Sequence, residues 1–209
     1  MKFDMYDVKD MVETFDQALP TGDPFLDGRY DAQVAKFGQP NAYWRLFYRL
    51  CEKYKPGLCC ELGAWQGTCA AHMAPHSATV ATIDHHGDPG DDINERECRA
   101  VQQRYGNVFY LKGWTWDRWT DVRDLGKKID ILFIDSWHQY EYMVRDWYTY
   151  KPLLADEALI VADDLVGTDV GPTIAGTGRA WGEICEGREQ FITGRAHIGV
   201  AMGFAKWVG

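Results

Sequence analysis

Met5, Val8, Met11, Val12 and Phe15 recur at spacings of three and four, which predicts an amphipathic helix near the start of the chain. Residues 20–41 carry three Pro and three Gly and are expected to form an irregular arm. A second helix is predicted after Asn41 as N-cap. Its apolar stripe is Tyr43, Leu46, Phe47, Leu50 and Tyr54, and Pro56-Gly57 ends it. The pattern then changes to short, continuous apolar runs: Leu58–Leu62, Thr79–Ile83, Val108–Leu111, Ile129–Ile134 and Ala158–Ala162. Segments of helical length separate them. Such runs spaced by helices predict strands of a parallel sheet covered on both faces. Phe191–Thr193 and His197–Lys206 flank Gly194 too closely for a helical crossover, so they are expected to pair antiparallel. The fold class is therefore α/β: a doubly wound, mostly parallel, seven-stranded sheet closed by a C-terminal antiparallel hairpin. Residues 41–209 form its main domain. Residues 1–40 are an extension of the same unit, placed to fold over a pocket as a lid.

Composition narrows the reading. The 209 residues suffice for one domain with its own core, without disulfide or metal support. The longest apolar runs are too short to span a bilayer, and MKFDMYDVKD has no apolar signal region. Cys51, Cys59, Cys60, Cys69, Cys98 and Cys185 include no Cys-x-x-Cys pair, so buried thiols in a reducing, cytoplasmic setting are expected. Adjacent Cys59 and Cys60 should face opposite sides of a strand. A net charge of −9 without a basic stripe argues against nucleic acid as partner. A homo-oligomer is compatible with the sequence, which does not specify one.

In an open parallel sheet, ligands bind beyond the carboxyl ends of the strands. The first strand ends Glu61-Leu62-Gly63-Ala64-Trp65-Gln66-Gly67. Gly63 permits a sharp turn and Gly67 a close approach of the next helix to a ligand; ordinary turn chemistry is the alternative. The second strand ends at Asp84, 23 residues after Glu61, placed to accept hydrogen bonds from a ribose diol. The pattern lacks the third glycine of the dinucleotide fingerprint. That favours an adenosine ligand without a pyrophosphate over NAD.

The fourth strand leads into Asp135 and the fifth into Asp163-Asp164. If these strands are neighbours, the three carboxylates converge. Crowded carboxylates resist ionisation unless a cation neutralises them, and an all-oxygen set suits Mg²⁺, then Mn²⁺ or Ca²⁺. The competing reading is that each aspartate caps backbone amides. Ser136 and Gln139 have capping-box spacing, and Trp137, Tyr140, Val144 and Trp147 form a helical stripe. His138 is thus expected in the first turn of a helix, as a largely neutral imidazole able to act as general base. Helix-start hydrogen bonding is its alternative role. Trp114, Trp116, Trp119, Trp137 and Tyr140 are available to stack on a ring.

These motifs together resemble the class I S-adenosylmethionine-dependent methyltransferases. Glu61-x-Gly63-x-x-x-Gly67 looks like their first motif, Asp84 matches their ribose-binding acid, and Gly113-Trp114 falls where the family contacts adenine. Asp135-x-x-His138 with Asp163-Asp164 resembles the metal-dependent O-methyltransferases of macrolide sugars and the related cephalosporin-hydroxylase-type proteins. The resemblance implies a cofactor site of Glu61, Gly63, Gly67, Asp84, Gly113, Trp114 and Asp135. It implies a Mg²⁺ site of Asp135, Asp163 and Asp164, with His138 as base. Catechol-type relatives usually carry lysine as base, so His138 points to a sugar-type or alicyclic hydroxyl on a small molecule. Two rivals stand beside this reading: an NAD-dependent oxidoreductase on a similar sheet, and a non-catalytic nucleotide-binding module.

Overall fold

The computed structural model describes residues 2–14, 19–37, 43–88, 90–165, 176–193 and 201–209. In chain order the elements are α1 (Met5–Thr14), α2 (Pro24–Phe37), α3 (Tyr43–Tyr54), β1 (Cys59–Leu62), α4 (Thr68–Met73), β2 (Val80–Asp84), α5 (Asp92–Arg104), β3 (Val108–Lys112), α6 (Trp119–Asp124), β4 (Ile129–Ile134), α7 (Tyr140–Tyr150), β5 (Leu154–Leu165), α8 (Thr177–Ile184), β6 (Gln190–Ile192) and β7 (Ala201–Val208). The strands form one seven-stranded sheet in the order β3-β2-β1-β4-β5-β7-β6. The first five are parallel, with Leu62 opposite both Ile83 and Ile134, and Ile134 opposite Ala162. β7 runs antiparallel to β5 and to β6. The expected α/β architecture and terminal hairpin are therefore present. Asn41, Gly194 and His197 lie outside the described residues, as does Phe15.

The continuous apolar runs have a simple cause: both sheet faces are covered. Odd-numbered Cys59, Ile131, Phe133, Leu159 and Val161 join α1, α2, α3 and α4 in one core. Even-numbered Cys60, Leu62, Leu132, Ile134, Ile160 and Ala162 join α7 and α8 in the other. Cys59 and Cys60 thus face opposite sides as expected, and all six cysteines are buried and free of disulfides. On α3, Leu46, Phe47 and Leu50 are buried, and Phe47 packs on Phe133 with ring centroids 4.7 Å apart. Each such side chain contributes about 2 kcal/mol on leaving water.

The expected irregular arm is largely a helix. Asp23 Oδ1 accepts from the Phe25 amide at 2.8 Å, capping α2, and Pro24 takes the first helical position, where it needs no donor. Leu26 and Tyr30 are buried in the shared core. Arg29 reaches from α2 to the carbonyl of Gln66 and pairs with Glu97 of α5 at 3.0 Å. Among the described residues no helix is long and apolar enough to cross a membrane.

Candidate active site

A cleft of about 310 Å³ opens at the carboxyl ends of the central strands, where the strand order reverses between β1 and β4. Gly63, Asp84, His85, Trp114, Asp135 and His138 are among its lining residues. The loop after β1 is pinned at its start, since the amides of Gly63 and Ala64 both donate to the Ile83 carbonyl, at 2.9 and 3.0 Å. Gly63 has φ +101°, and a Cβ there would sit 1.9 Å from the Asp135 carbonyl oxygen. Glycine is thus required by backbone geometry and by the packing of the β1 loop on the β4 loop. Gly63→Ala is expected to cost about 3 kcal/mol and to distort the cleft, which denaturant unfolding checks.

Gly67 has a packing role in the structure. It precedes α4 with φ +69°, does not line the cleft, and a Cβ would lie 3.3 Å from Cys98 Cα of α5. Its small size lets two helices pack. Gly113 is also outside the lining, and its amide donates to the Asp84 carbonyl at 2.8 Å, tying the ends of β2 and β3. Asp84 lines the cleft, but Oδ2 accepts from the Trp65 amide at 2.7 Å and Oδ1 from the His86 amide at 3.2 Å. The carboxylate therefore shapes the first loop, while each oxygen keeps a further lone pair for a ligand. Glu61 lies under the cleft rather than along it. It is buried opposite Thr82, whose hydroxyl donates to it at 2.6 Å. Burial, aided by the charges of Asp135 and Asp84, pushes its carboxyl up to about 8 against the hydrogen bonds of Thr82 and Cys69.

One wall is aromatic. His85 stacks on Trp114 with centroids 3.9 Å apart, Trp114 on Trp116 at 5.0 Å, and Trp116 on Tyr142 at 5.6 Å. Trp137 touches Trp114 and Tyr142 and remains 47% exposed. Trp119 lies by Arg123, and Tyr140 is engaged with Glu183. Of the five rings expected to stack, three build this wall, joined by His85 and Tyr142.

Among the described residues, one group of three acidic, His or Cys side chains has metal-ligand proximity: Asp135, His138 and Asp164, with ligand atoms within 4.8 Å of one another. His138 Nδ1 donates to Asp164 Oδ2 at 2.8 Å, and Nε2 lies 3.4 Å from Asp135 Oδ1. Asp135 and Asp164 thus meet as expected, with His138 between them, while Asp163 stands outside this close group. Successive side chains on β5 point to opposite faces, and Asp164 has φ +54° where the β5–β7 register breaks. Asp163 is close enough to sense its neighbours: burial, then the charges of Asp135 and Asp164, push its carboxyl well up. Asp163 and Asp164 do not line the cleft.

Two expectations about His138 are corrected. It precedes α7, which begins at Tyr140, because Ser136 Oγ donates to Asp146 at 2.5 Å instead of forming a capping box. The second is its neutrality, which the surrounding acids disfavour in the metal-free chain. Burial pulls its pKa down, but hydrogen bonds and charge from Asp135 and Asp164 outweigh that and raise it to about 10.

Sequence reasoning passed over two further residues. His86 is buried with φ +41°, its Nε2 donating to the Trp65 carbonyl at 2.7 Å and Nδ1 paired with the Tyr110 hydroxyl at 2.6 Å. Asp146 is completely buried on α7 and accepts from both Ser136 and Thr115. Burial raises its carboxyl to about 6, against the two hydroxyls and Arg145. A carboxylate within the buried face Met143–Trp147–Tyr150 was the available signal. The expected stripe through Tyr140, Val144 and Trp147 packs on the same core, with Met143 and Tyr150 beside it.

The sheet order, the terminal hairpin and the cleft at the switch point define the class I methyltransferase fold. The crystal structure of an O-methyltransferase from Bacillus cereus in complex with S-adenosylhomocysteine has a TM-score of 0.69 at 14% identity, covering 97% of each chain. The O-methyltransferase TomG from Streptomyces achromogenes, involved in tomaymycin synthesis and solved with S-adenosylmethionine, has a TM-score of 0.70 at 18% identity over 100% of both chains. A methyltransferase from Geobacter sulfurreducens has a TM-score of 0.58 at 20% identity, covering 94% of this chain and 96% of its own. At these identities the similarity establishes the fold. A family model for a methyltransferase domain matches residues 60–165, half of the sequence, and the chain belongs to that family. No curated protein matches it.

Proposed function

We propose that this chain is an S-adenosylmethionine-dependent O-methyltransferase acting on a small-molecule hydroxyl, with a divalent cation, Mg²⁺ before Mn²⁺ or Ca²⁺, at its acidic edge. One observation carries the reading: Asp135, His138 and Asp164 converge beside a cleft that Gly63 and Asp84 also line. The residues fit both groups. The cleft volume lies within the range of small-ligand sites. Two carboxylates from neighbouring strands, with only an imidazolium between them, are a donor set for a hard cation. Asp163 stands in reserve as a third carboxylate.

In this reading Asp84 accepts from the ribose hydroxyls, while Gly63 and the amide-pinned loop shape the nucleoside's seat. Glu61 supports that loop from below, and Gly67 and Gly113 set its framework. Trp114 borders the purine end, and Trp137 offers a face to the acceptor ring. Asp135 and Asp164 would hold the cation, which would lower the pKa of the acceptor hydroxyl and replace the positive charge that the two acids otherwise draw from His138. His138, having released its own proton to solvent, would take the hydroxyl proton, and the oxygen would attack the sulfonium methyl in line as the carbon–sulfur bond breaks and S-adenosylhomocysteine leaves. Alignment supplies much of the rate. The acceptor's sugar-type or alicyclic character rests on histidine in the base position. Residues 41–209 make up the catalytic unit, and residues 1–40 a packed extension whose Arg29 braces the first loop.

Tryptophan fluorescence tests this, because Trp114 and Trp137 line the cleft. S-adenosylhomocysteine is expected to quench it and NADH to leave it unchanged. Methyl transfer from labelled donor is expected to stop in EDTA and return with Mg²⁺. Quenching by NADH alone would favour the oxidoreductase, and full turnover in EDTA would remove the cation.

A further inference from the structure

We propose that Asp146 is a positioning residue that locks the two rims of the cleft in register from behind. The proposal rests on the functional reading above. Asp146 does not itself line the cleft and is fully buried on α7. Its Oδ1 accepts from Thr115 Oγ1 and its Oδ2 from Ser136 Oγ at 2.5 Å. Both partners line the cleft, one in the segment after β3 and the other in the segment after β4. Thr115 follows Trp114, and Ser136 lies between Asp135 and Trp137. The same helix grips the first segment a second time, since Tyr150 Oη donates to the Thr115 carbonyl at 2.6 Å.

The arrangement is costly in isolation. A buried carboxylate is retained only where hydrogen bonds compensate it, and a leucine in its place would satisfy the surrounding core of Met143, Trp147 and Tyr150. What the carboxylate provides and leucine cannot is two divergent acceptors on one rigid group. Apart from Asp146 the two segments meet through the Trp114 and Trp137 rings, a contact that fixes no direction as two hydrogen bonds to one rigid group do. Joined through Asp146, the aromatic rim bearing Trp114 and the acidic rim bearing Asp135 and His138 keep a fixed separation. Donor methyl and acceptor oxygen must meet across that separation.

Asp146→Leu removes the link and keeps an apolar filling. Asp146→Asn keeps a side chain that can accept from one hydroxyl and donate to the other. Hydrogen exchange and steady-state kinetics on the full chain separate the possibilities. Asp146→Leu should raise amide exchange in residues 113–118 and 135–139 together and lower kcat about 10- to 100-fold, with KM for the methyl donor raised less. Asp146→Asn should recover both towards wild type. An Asp146→Leu protein with wild-type exchange in either segment, or with wild-type kcat, overturns the proposal. So does an asparagine variant as impaired as the leucine one, or loss of kcat fully accounted for by a smaller folded fraction. If the wild-type chain transfers no methyl group, the functional reading falls, and exchange in the two segments alone decides whether the lock exists.

Discussion

Asp135→Ala should lower Mg²⁺-dependent methyl transfer about 1,000-fold while S-adenosylhomocysteine still binds. Two effects combine. The substitution removes one of the two carboxylates that face each other across His138, so the acidic edge loses half of its charge. It also frees one side of the imidazole, so the base is neither oriented nor poised. The nucleoside seat should survive, because the contact that Asp135 makes with Gly63 is through the backbone carbonyl, which alanine retains. Calorimetry with S-adenosylhomocysteine and a labelled-methyl assay measure the two halves separately. A second readout is the imidazole itself. Held near 10 by two acids, the His138 pKa should fall in the variant towards its ordinary 6.5 and be visible by NMR titration. Retained turnover in Asp135→Ala, or a His138 titration identical to wild type, contradicts the assignment. In the companion variant His138→Ala, the loss should be greatest below the pH at which the acceptor ionises unaided.

Glu61 should make the fold less stable as pH rises from about 4.5 to about 8, by roughly 5 kcal/mol across that interval. The sign follows from burial. In the folded chain the carboxyl keeps its proton until about 8, because desolvation dominates its surroundings. In the unfolded chain it ionises near its ordinary value, so the unfolded state gains from every rise in pH between the two. The stabilisation is complete below the lower value and gone above the upper one. Glu61→Gln stays neutral throughout and can still pair with Thr82. Urea unfolding at pH 5 and pH 8 should therefore give similar stabilities for the two proteins at the acid end and a clear advantage for glutamine at the alkaline end. Comparing variant with parent cancels the other titrating groups. Parallel pH profiles would mean that Glu61 is ionised in the folded chain.

The sheet was legible because burial on both faces writes itself as unbroken apolar runs. β4 was found to the residue, and the others were placed within a few positions. The acids ending β2, β4 and β5 followed from the same runs. Less legible was anything decided by side-chain partners. Proline and glycine at 20–41 suggested a loop, although Asp23-Pro24 is also a helix start, and Leu26 and Tyr30 finish a core that no local pattern announces. The choice between Asp163 and Asp164 depended on a left-handed residue at a register break. The protonation of His138 depended on which acids came within reach. Asp146 was hidden because its hydroxyl partners lie 10 and 31 residues away in sequence.

The reversal of strand order between β1 and β4 has a consequence for diversification. In the proposed function, segments following β1, β2 and β3 bear the residues assigned to the nucleoside, and those following β4 and β5 bear the acids and the histidine. A lineage can therefore redesign the second set for new acceptors while leaving the methyl donor's berth untouched. In this scheme α7, bonded to both sets, and the Gly63 turn packed on Asp135 are carried along unchanged.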